Sequence, residues 1–190
     1  MLFEQQAIPE VVKITPKFHG DARGFFSEIF REDLFQAEVG PVHFVQDNQS
    51  LSAATGTLRG LHFQLEPAGQ GKLVRCLSGA ILDVAVDIRS GSPTYGKHVT
   101  VELSPENGAW LWIPVGFAHG FVTLKPDTAV LYKVTSYYSA THDRGILWSD
   151  PALGIDWPMP EETLTLSAKD RAAPVLAAIE PPFQYKSTGA

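Results

Sequence analysis

Sixteen glycines and fourteen prolines are spread along the 190-residue chain rather than gathered into a linker, and they cut it into short runs. Most of the longer uninterrupted runs are rich in β-branched and aromatic residues. Ile81–Ile88 (ILDVAVDI) places Leu82, Val84, Val86 and Ile88 on one face. His98–Leu103 (HVTVEL) alternates Val99, Val101 and Leu103 against His98, Thr100 and Glu102. Ala109–Pro114 and Ala129–Tyr138 add two more such runs. A period of two between frequent breakers predicts an all-β sandwich or barrel. Helix signals are confined to Arg31–Glu38 and Ser167–Ala173. In the second, Ser167 reads as the N-cap and Asp170 as the third helical position. The chain after Pro174 reads as irregular.

The composition narrows the function classes. At 44% hydrophobic the chain can bury a core, and a formal net charge of −6 argues against a nucleic-acid surface. Cys76 is the only cysteine, so no internal disulfide is expected and a reducing, cytoplasmic setting is the simplest one. The N-terminus lacks a basic region followed by an apolar stretch, so no signal peptide is expected. No apolar run approaches the roughly 20 residues of a membrane-spanning helix. We therefore expect no nucleic-acid and no membrane partner.

Two spaced motifs carry chemistry. Gly108-x5-Pro114-x-Gly116-x-x-His119 matches the second motif of the cupin superfamily of jelly-roll barrels. The first cupin motif is Gly-x5-His-x-His, whereas here it is Gly56-x5-His62-x-Gln64. A carboxamide is a poor ligand for a transition metal, and two histidines fall short of the usual three-ligand catalytic set. No metal and no other cofactor is expected. Taken alone, His62 reads as a core histidine bonded to backbone and Asp170 as a helix-capping acid. Tyr132, on the parity of Val130 and Val134, reads equally as a core aromatic.

Longer stretches add to this in order: DARGFFSEIF (21–30), FVQDNQS (44–50), TLRGLHFQ (57–64), GQGKLVR (69–75), DVAVDIR (83–89), WIPVGFAHGFVTL (112–124), YKVTSYYS (132–139), GILWSDPALGIDWP (145–158) and LSAKD (166–170). Together they closely resemble the dTDP-4-dehydrorhamnose 3,5-epimerase family, from about residue 10 to about residue 175. The resemblance implies one double-stranded β-helix, a cupin-like jelly roll with a few short helices. It would span residues 1–190, with short N- and C-terminal extensions packing around the barrel. It implies metal-free acid/base epimerisation of dTDP-4-dehydro-6-deoxy-D-glucose at C3 and C5. His62 would be the base and Tyr132 the opposing acid. Lys72 would lie at the C4 oxygen, and Asp170 would orient His62, with Asp83 as the rival carboxylate. Substrate contacts would come from Arg23, Glu28, Gln46, Asp47, Asn48, Arg59, His119, Tyr138, Asp143 and Lys169. At Asp143 the family pattern leads one to expect Glu. A homodimer is implied, with Arg23 and Glu28 candidates for the neighbouring subunit's site. Related readings are a ketosugar 3- or 5-epimerase, a 3,4-ketoisomerase, and a non-catalytic sugar-nucleotide-binding cupin.

Overall fold

The computed structural model describes residues 1–186. Two sheets face each other. One has the order β1 (Leu2–Gln5), β2 (Val12–Thr15), β11 (Trp110–Ile113), β7 (Lys72–Ser78), β13 (Thr128–Val134), β5 (Gln46–Ser52). The other runs β10 (His98–Leu103), β8 (Ile81–Asp87), β12 (Phe117–Thr123), β6 (Leu58–Gln64), β14 (Asp143–Gly145). Except at β8 and β10, which pair as neighbours, the chain from β5 to β14 passes from one sheet to the other, the jelly-roll path that the resemblance implies. Two small ribbons stand apart: β3 (Phe18–Asp21) with β4 (Gly24–Ser27), and β9 (Arg89–Ser90) parallel to β15 (Phe183–Gln184). No helix of the described residues is long and apolar enough to cross a membrane.

The space between the sheets holds Val74, Cys76, Leu111, Ile113 and Val130 from the first sheet. Ile81, Ala85, Val99, Val101, Leu103, Phe117 and Phe121 meet them from the second. Burying side chains of this size is worth about 1.5–3 kcal/mol each. The outer faces are covered too. Helix α1 (Glu32–Val39) lays Phe35 against Trp112 and Phe44, with ring centroids 5.3 Å from each. Glu32 and Asp33 in its first turn suit the positive end of the helix dipole. The second helix, α2 (Ala168–Arg171), begins at Ser167, whose hydroxyl accepts the Asp170 N–H at 3.1 Å.

Val84, Val86 and Ile88 share a face, as their alternation predicts, and it is the outer one. There they pack with Leu61, Phe63 and Ala118 beneath Ile146, Leu153, Leu176 and Phe183. The inner face of β8 carries Asp83 instead. Alternation reports the period of a strand, not which side is roofed. The segment after Pro174 is not wholly irregular: Leu176–Ala178 forms a 3-10 turn and Phe183–Gln184 pairs with β9, while residues 187–190 lie outside the described residues.

Strands β6 and β12 place His62 directly opposite His119 and then slip by a bulge before Phe121 pairs with Arg59. Gly60 sits at this bulge with φ +127°, and a Cβ there would meet Gly120 Cα at 2.5 Å and the His119 oxygen at 2.7 Å. Those neighbours are backbone and cannot swing aside. Gly60→Ala is therefore expected to cost about 2–4 kcal/mol through strain and displaced pairing. Thermal and urea unfolding measure it, and a loss under about 0.5 kcal/mol would show that the glycine contact is not needed.

Candidate active site

A cavity of about 170 Å³ opens where β6 and β14 end one sheet and β13 and β5 end the other. Its walls are Gln46, Asn48, His62, Phe63, Gln64, Gln70, Lys72, Tyr132, Tyr138, Asp143 and Lys169. Strand parity explains the set. Gln46 and Asn48 point inward on β5, and Asn48 lies opposite Tyr132 on β13. Asp47 falls on the outer parity and pairs with Lys133 at 3.0 Å, so it does not reach the cavity. A larger groove of about 680 Å³ adjoins the cavity at Asp143 and Lys169, but its floor is mostly apolar, with Leu65, Ala172, Pro174 and Pro181. His62, Lys72, Tyr132 and Tyr138 line the smaller cavity and not the groove, while Asp170 lies in the groove wall between the two.

His62 Nε2 lies 2.6 Å from Asp170 Oδ1. An imidazole held there by a carboxylate carries its proton on Nε2 and leaves Nδ1 free to accept one. Nδ1 of His62 has no hydrogen-bond partner among the described residues, and the side chain is 32% exposed. Burial works against ionisation of Asp170. The bonds from His62, Ser167 and the Gly60 backbone outweigh it, and the carboxyl stays below its usual range. The same residue therefore does two things. Its backbone N–H is capped by Ser167, and its side chain reaches across to β6.

The rival carboxylate, Asp83, serves a different histidine. His119 Nε2 lies 2.6 Å from Asp83 Oδ1, with side-chain exposures of 8% and 0%. Burial is the main cause that pushes His119 below the ordinary imidazole value, against the pull of Asp83. His119 is thus a neutral ring behind the cavity, beside His62 but not in its wall. Asp83 Oδ2 has no partner among the described residues. No group of three or more His, Cys, Asp or Glu that could hold a metal ion occurs among those residues, and each of the two motif histidines spends one nitrogen on a carboxylate.

Lys72 is buried, and its ammonium donates to the His62 carbonyl oxygen at 3.3 Å. Burial lowers it to about 8. Asp83 and Asp143 pull the other way, and Lys169 adds to the lowering. Tyr132 packs against the interior cluster. Burial raises its phenol, Arg59 opposes this and Asp143 adds to it. Its hydroxyl has no hydrogen-bond partner among the described residues and faces the cavity. Arg59 is not among the lining residues; its Nε lies 3.3 Å from the Ser52 hydroxyl. Asp143 accepts from the Tyr138 hydroxyl at 3.3 Å and pairs with Lys169, closing one side of the rim.

Arg23 and Glu28 are not brought to this cavity. Arg23 is paired with Asp21 in the β3–β4 ribbon, and Glu28 lies 3.8 Å from Arg31. Sequence reasoning missed the positions of Gln64 and Gln70 in the cavity wall. Gln64 had been marked only as a lost metal ligand, whereas the structure buries its carboxamide and bonds it to backbone.

The dTDP-4-dehydrorhamnose 3,5-epimerase family matches residues 5–178. The chain is 60% identical to the dTDP-4-dehydrorhamnose 3,5-epimerase of Sinorhizobium fredii (strain NBRC 101917 / NGR234) over 185 residues, which is 97% of this chain and 94% of that relative. Among solved structures, dTDP-6-deoxy-D-glucose-3,5-epimerase from Legionella pneumophila Philadelphia 1, in complex with dTDP-4-keto-L-rhamnose, matches with a TM-score of 0.93 at 46% identity. That match covers 98% of this chain and 99% of the other. The dTDP-4-dehydrorhamnose 3,5-epimerase of Bacillus anthracis strain Ames, with TDP and PPi bound, matches with a TM-score of 0.88 at 45% identity, over 92% and 98% of the two chains.

Burying Lys72 has a measurable consequence for stability. Its ammonium titrates near 8 in the fold against 10.5 in the open chain, so below pH 8 the fold bears the cost of a buried cation. Between pH 8 and pH 10.5 the folded state binds fewer protons than the unfolded one, and this group makes stability rise with pH. Lys72→Met is expected to be more stable than the parent by about 2 kcal/mol at pH 7, with the gain fading towards pH 10.5. Urea midpoints of both proteins across that range check the sign. A variant less stable at pH 7, or a gain independent of pH, would contradict it.

Proposed function

The chain belongs to the dTDP-4-dehydrorhamnose 3,5-epimerase family, and from that premise we propose which of its residues move the protons. It is an isomerase, and its substrate is a dTDP-activated ketosugar. In dTDP-4-dehydro-6-deoxy-D-glucose both C3 and C5 adjoin the C4 ketone, so each can lose its proton to give an enolate. The reaction calls for a base on one face, an acid on the other, and a cation at the enolate oxygen.

The observation that carries the assignment is the 2.6 Å bond between His62 Nε2 and Asp170, in a cavity walled also by Lys72 and Tyr132. In this reading His62 Nδ1 removes the proton and Asp170 steadies the imidazolium that forms. The Lys72 ammonium stabilises the negative charge on O4 in a site that excludes most water. Tyr132 returns a proton from the opposite face. Each inversion leaves one proton extra on His62 and one missing from Tyr132, and exchange with solvent closes the cycle before the second carbon is turned. No step needs a redox cofactor or a metal.

Arg59, Lys169, Gln46, Asn48 and Asp143 would hold the sugar and diphosphate, since guanidinium and ammonium groups suit phosphate oxygens. Tyr138, 61% exposed beside the mouth, would stack on the thymine ring. We assign Arg23 and Glu28 to a homodimer. Phe25 and Phe26 of the same ribbon are 69% and 72% exposed, a surface that a second copy would cover. The enzyme is placed in the cytoplasm, in keeping with Cys76 as a free, buried thiol.

The test is incubation with the 4-ketosugar in deuterium oxide, read by NMR at C3 and C5. The parent should exchange and invert both carbons. His62→Ala should lose exchange at both, and near-normal deuterium uptake by that variant would refute His62 as the base. Tyr132→Phe should still take up deuterium while inverting poorly, because removal of the proton is intact and return from the opposite face is not. Inversion at one carbon alone would assign a monoepimerase, and binding without exchange a non-catalytic sugar-nucleotide module.

A further inference from the structure

The four residues Ser136 to Ser139, separated from the end of β13 by Thr135, belong to no strand, yet side chains hold the backbone of each. Gln70 Nε2 donates to the Ser136 oxygen at 2.7 Å. Gln64 Nε2 donates to the Tyr137 oxygen at 3.2 Å and to the Ala68 oxygen at 2.7 Å. The Tyr138 N–H donates to Gln46 Oε1 at 3.1 Å, and the Ser139 N–H to Gln64 Oε1 at 2.7 Å. Gln64 is 3% exposed, so its carboxamide has little access to water and spends its oxygen and its amide group on these two loops. The hold extends further along the chain. The Ser139 oxygen accepts the backbone N–H groups of His142 and Asp143, and the Asp143 carboxylate accepts from the Tyr138 hydroxyl.

We propose that Gln64 is a positioning residue for the nucleotide: with Gln70 it clamps the Ser136–Ser139 backbone and so sets the height and tilt of the Tyr138 ring over the cavity. The position that carries a metal ligand in the cupin pattern has become the anchor of the loop bearing the base-stacking aromatic. The geometry explains why a carboxamide is required. One acceptor must take the Ser139 N–H while one amino group serves two carbonyls, and neither a carboxylate nor an imidazole can do both. An unclamped loop would carry the same tyrosine but would pay the ordering cost when the ligand binds. The clamp therefore acts on affinity rather than on the proton transfers. The proposal rests on the stacking role assigned to Tyr138 above.

A double-mutant cycle with dTDP as the probe tests it by calorimetry on the full-length protein. Tyr138→Ala and Gln64→Ala are each expected to weaken dTDP binding about tenfold. The double variant should be no weaker than the weaker single one. With the ketosugar, Gln64→Ala should raise KM by a similar factor and keep kcat within about threefold, a split that a general loss of structure does not produce. Gln70→Ala removes one tether and should weaken dTDP about threefold; it decides the matter if Gln64→Ala does not fold. The proposal is overturned by wild-type dTDP affinity in the clamp variants, with or without a lower melting temperature. It is equally overturned by independent effects that multiply to about a hundredfold in the double variant. Wild-type affinity in Tyr138→Ala would remove the stacking role itself, which separates failure of that premise from failure of the clamp.

Discussion

A hydrogen bond of 2.6 Å joins residues 108 positions apart, His62 on β6 and Asp170 on α2, and the layout of the chain follows from the need to make it. Asp170 can reach the barrel interior only if the segment after β14 returns across the outer face of the five-stranded sheet. That passage gives Val84, Val86 and Ile88 a roof and lets β8 be apolar outside while its inner face carries Asp83 between Ile81 and Ala85. The capped turn at Ser167 then aims the carboxylate. Stability and chemistry use the same segment, because the side chains that cover the sheet also deliver the acid.

The interior illustrates how a β-sandwich accommodates charge. Two imidazoles sit opposite each other on neighbouring strands, each against a carboxylate, and they differ in access to solvent. His62 opens to the cavity and has a free nitrogen. His119 is enclosed and is held neutral by its burial. The Asp83 carboxylate also attracts the buried Lys72 ammonium. One dyad is suited to exchange protons and the other to supply a fixed field, although their donor sets are the same.

Much of this was legible in the chain, and what was not has physical reasons. Alternation between frequent breakers pointed to a sandwich or barrel, the cupin-like motifs to a jelly roll, and the second helix was visible in its Ser167 cap. Parity also held unused information. Gln46 and Asn48 share a face, so Asp47 had to point away, where it found Lys133. The His62–Asp170 contact has no local signature, since a capping acid reads the same whether or not its side chain reaches elsewhere. Family resemblance, not periodicity, pointed to it. Phe183–Gln184 is too short for any period to show. The clamp formed by Gln64 and Gln70 was hidden because a glutamine in a strand gives no hint of what its amide will bind. Arg23 sits in the β3–β4 ribbon and Glu28 just past its end, and within a single chain neither reaches the cavity.

The order of residues along the chain has a consequence for synthesis. A ribosome releases all strands of both main sheets, with His62, Lys72 and Tyr132 among them, before Asp170 emerges. The barrel can thus condense around its cavity while the imidazole still lacks the carboxylate that sets its tautomer. A nascent chain, or one clipped after β14, carries His62, Lys72 and Tyr132 but lacks Asp170 and the Lys169 of the cavity wall. Competence to abstract a proton is conferred by the last fifth of the polypeptide, as a final act of assembly.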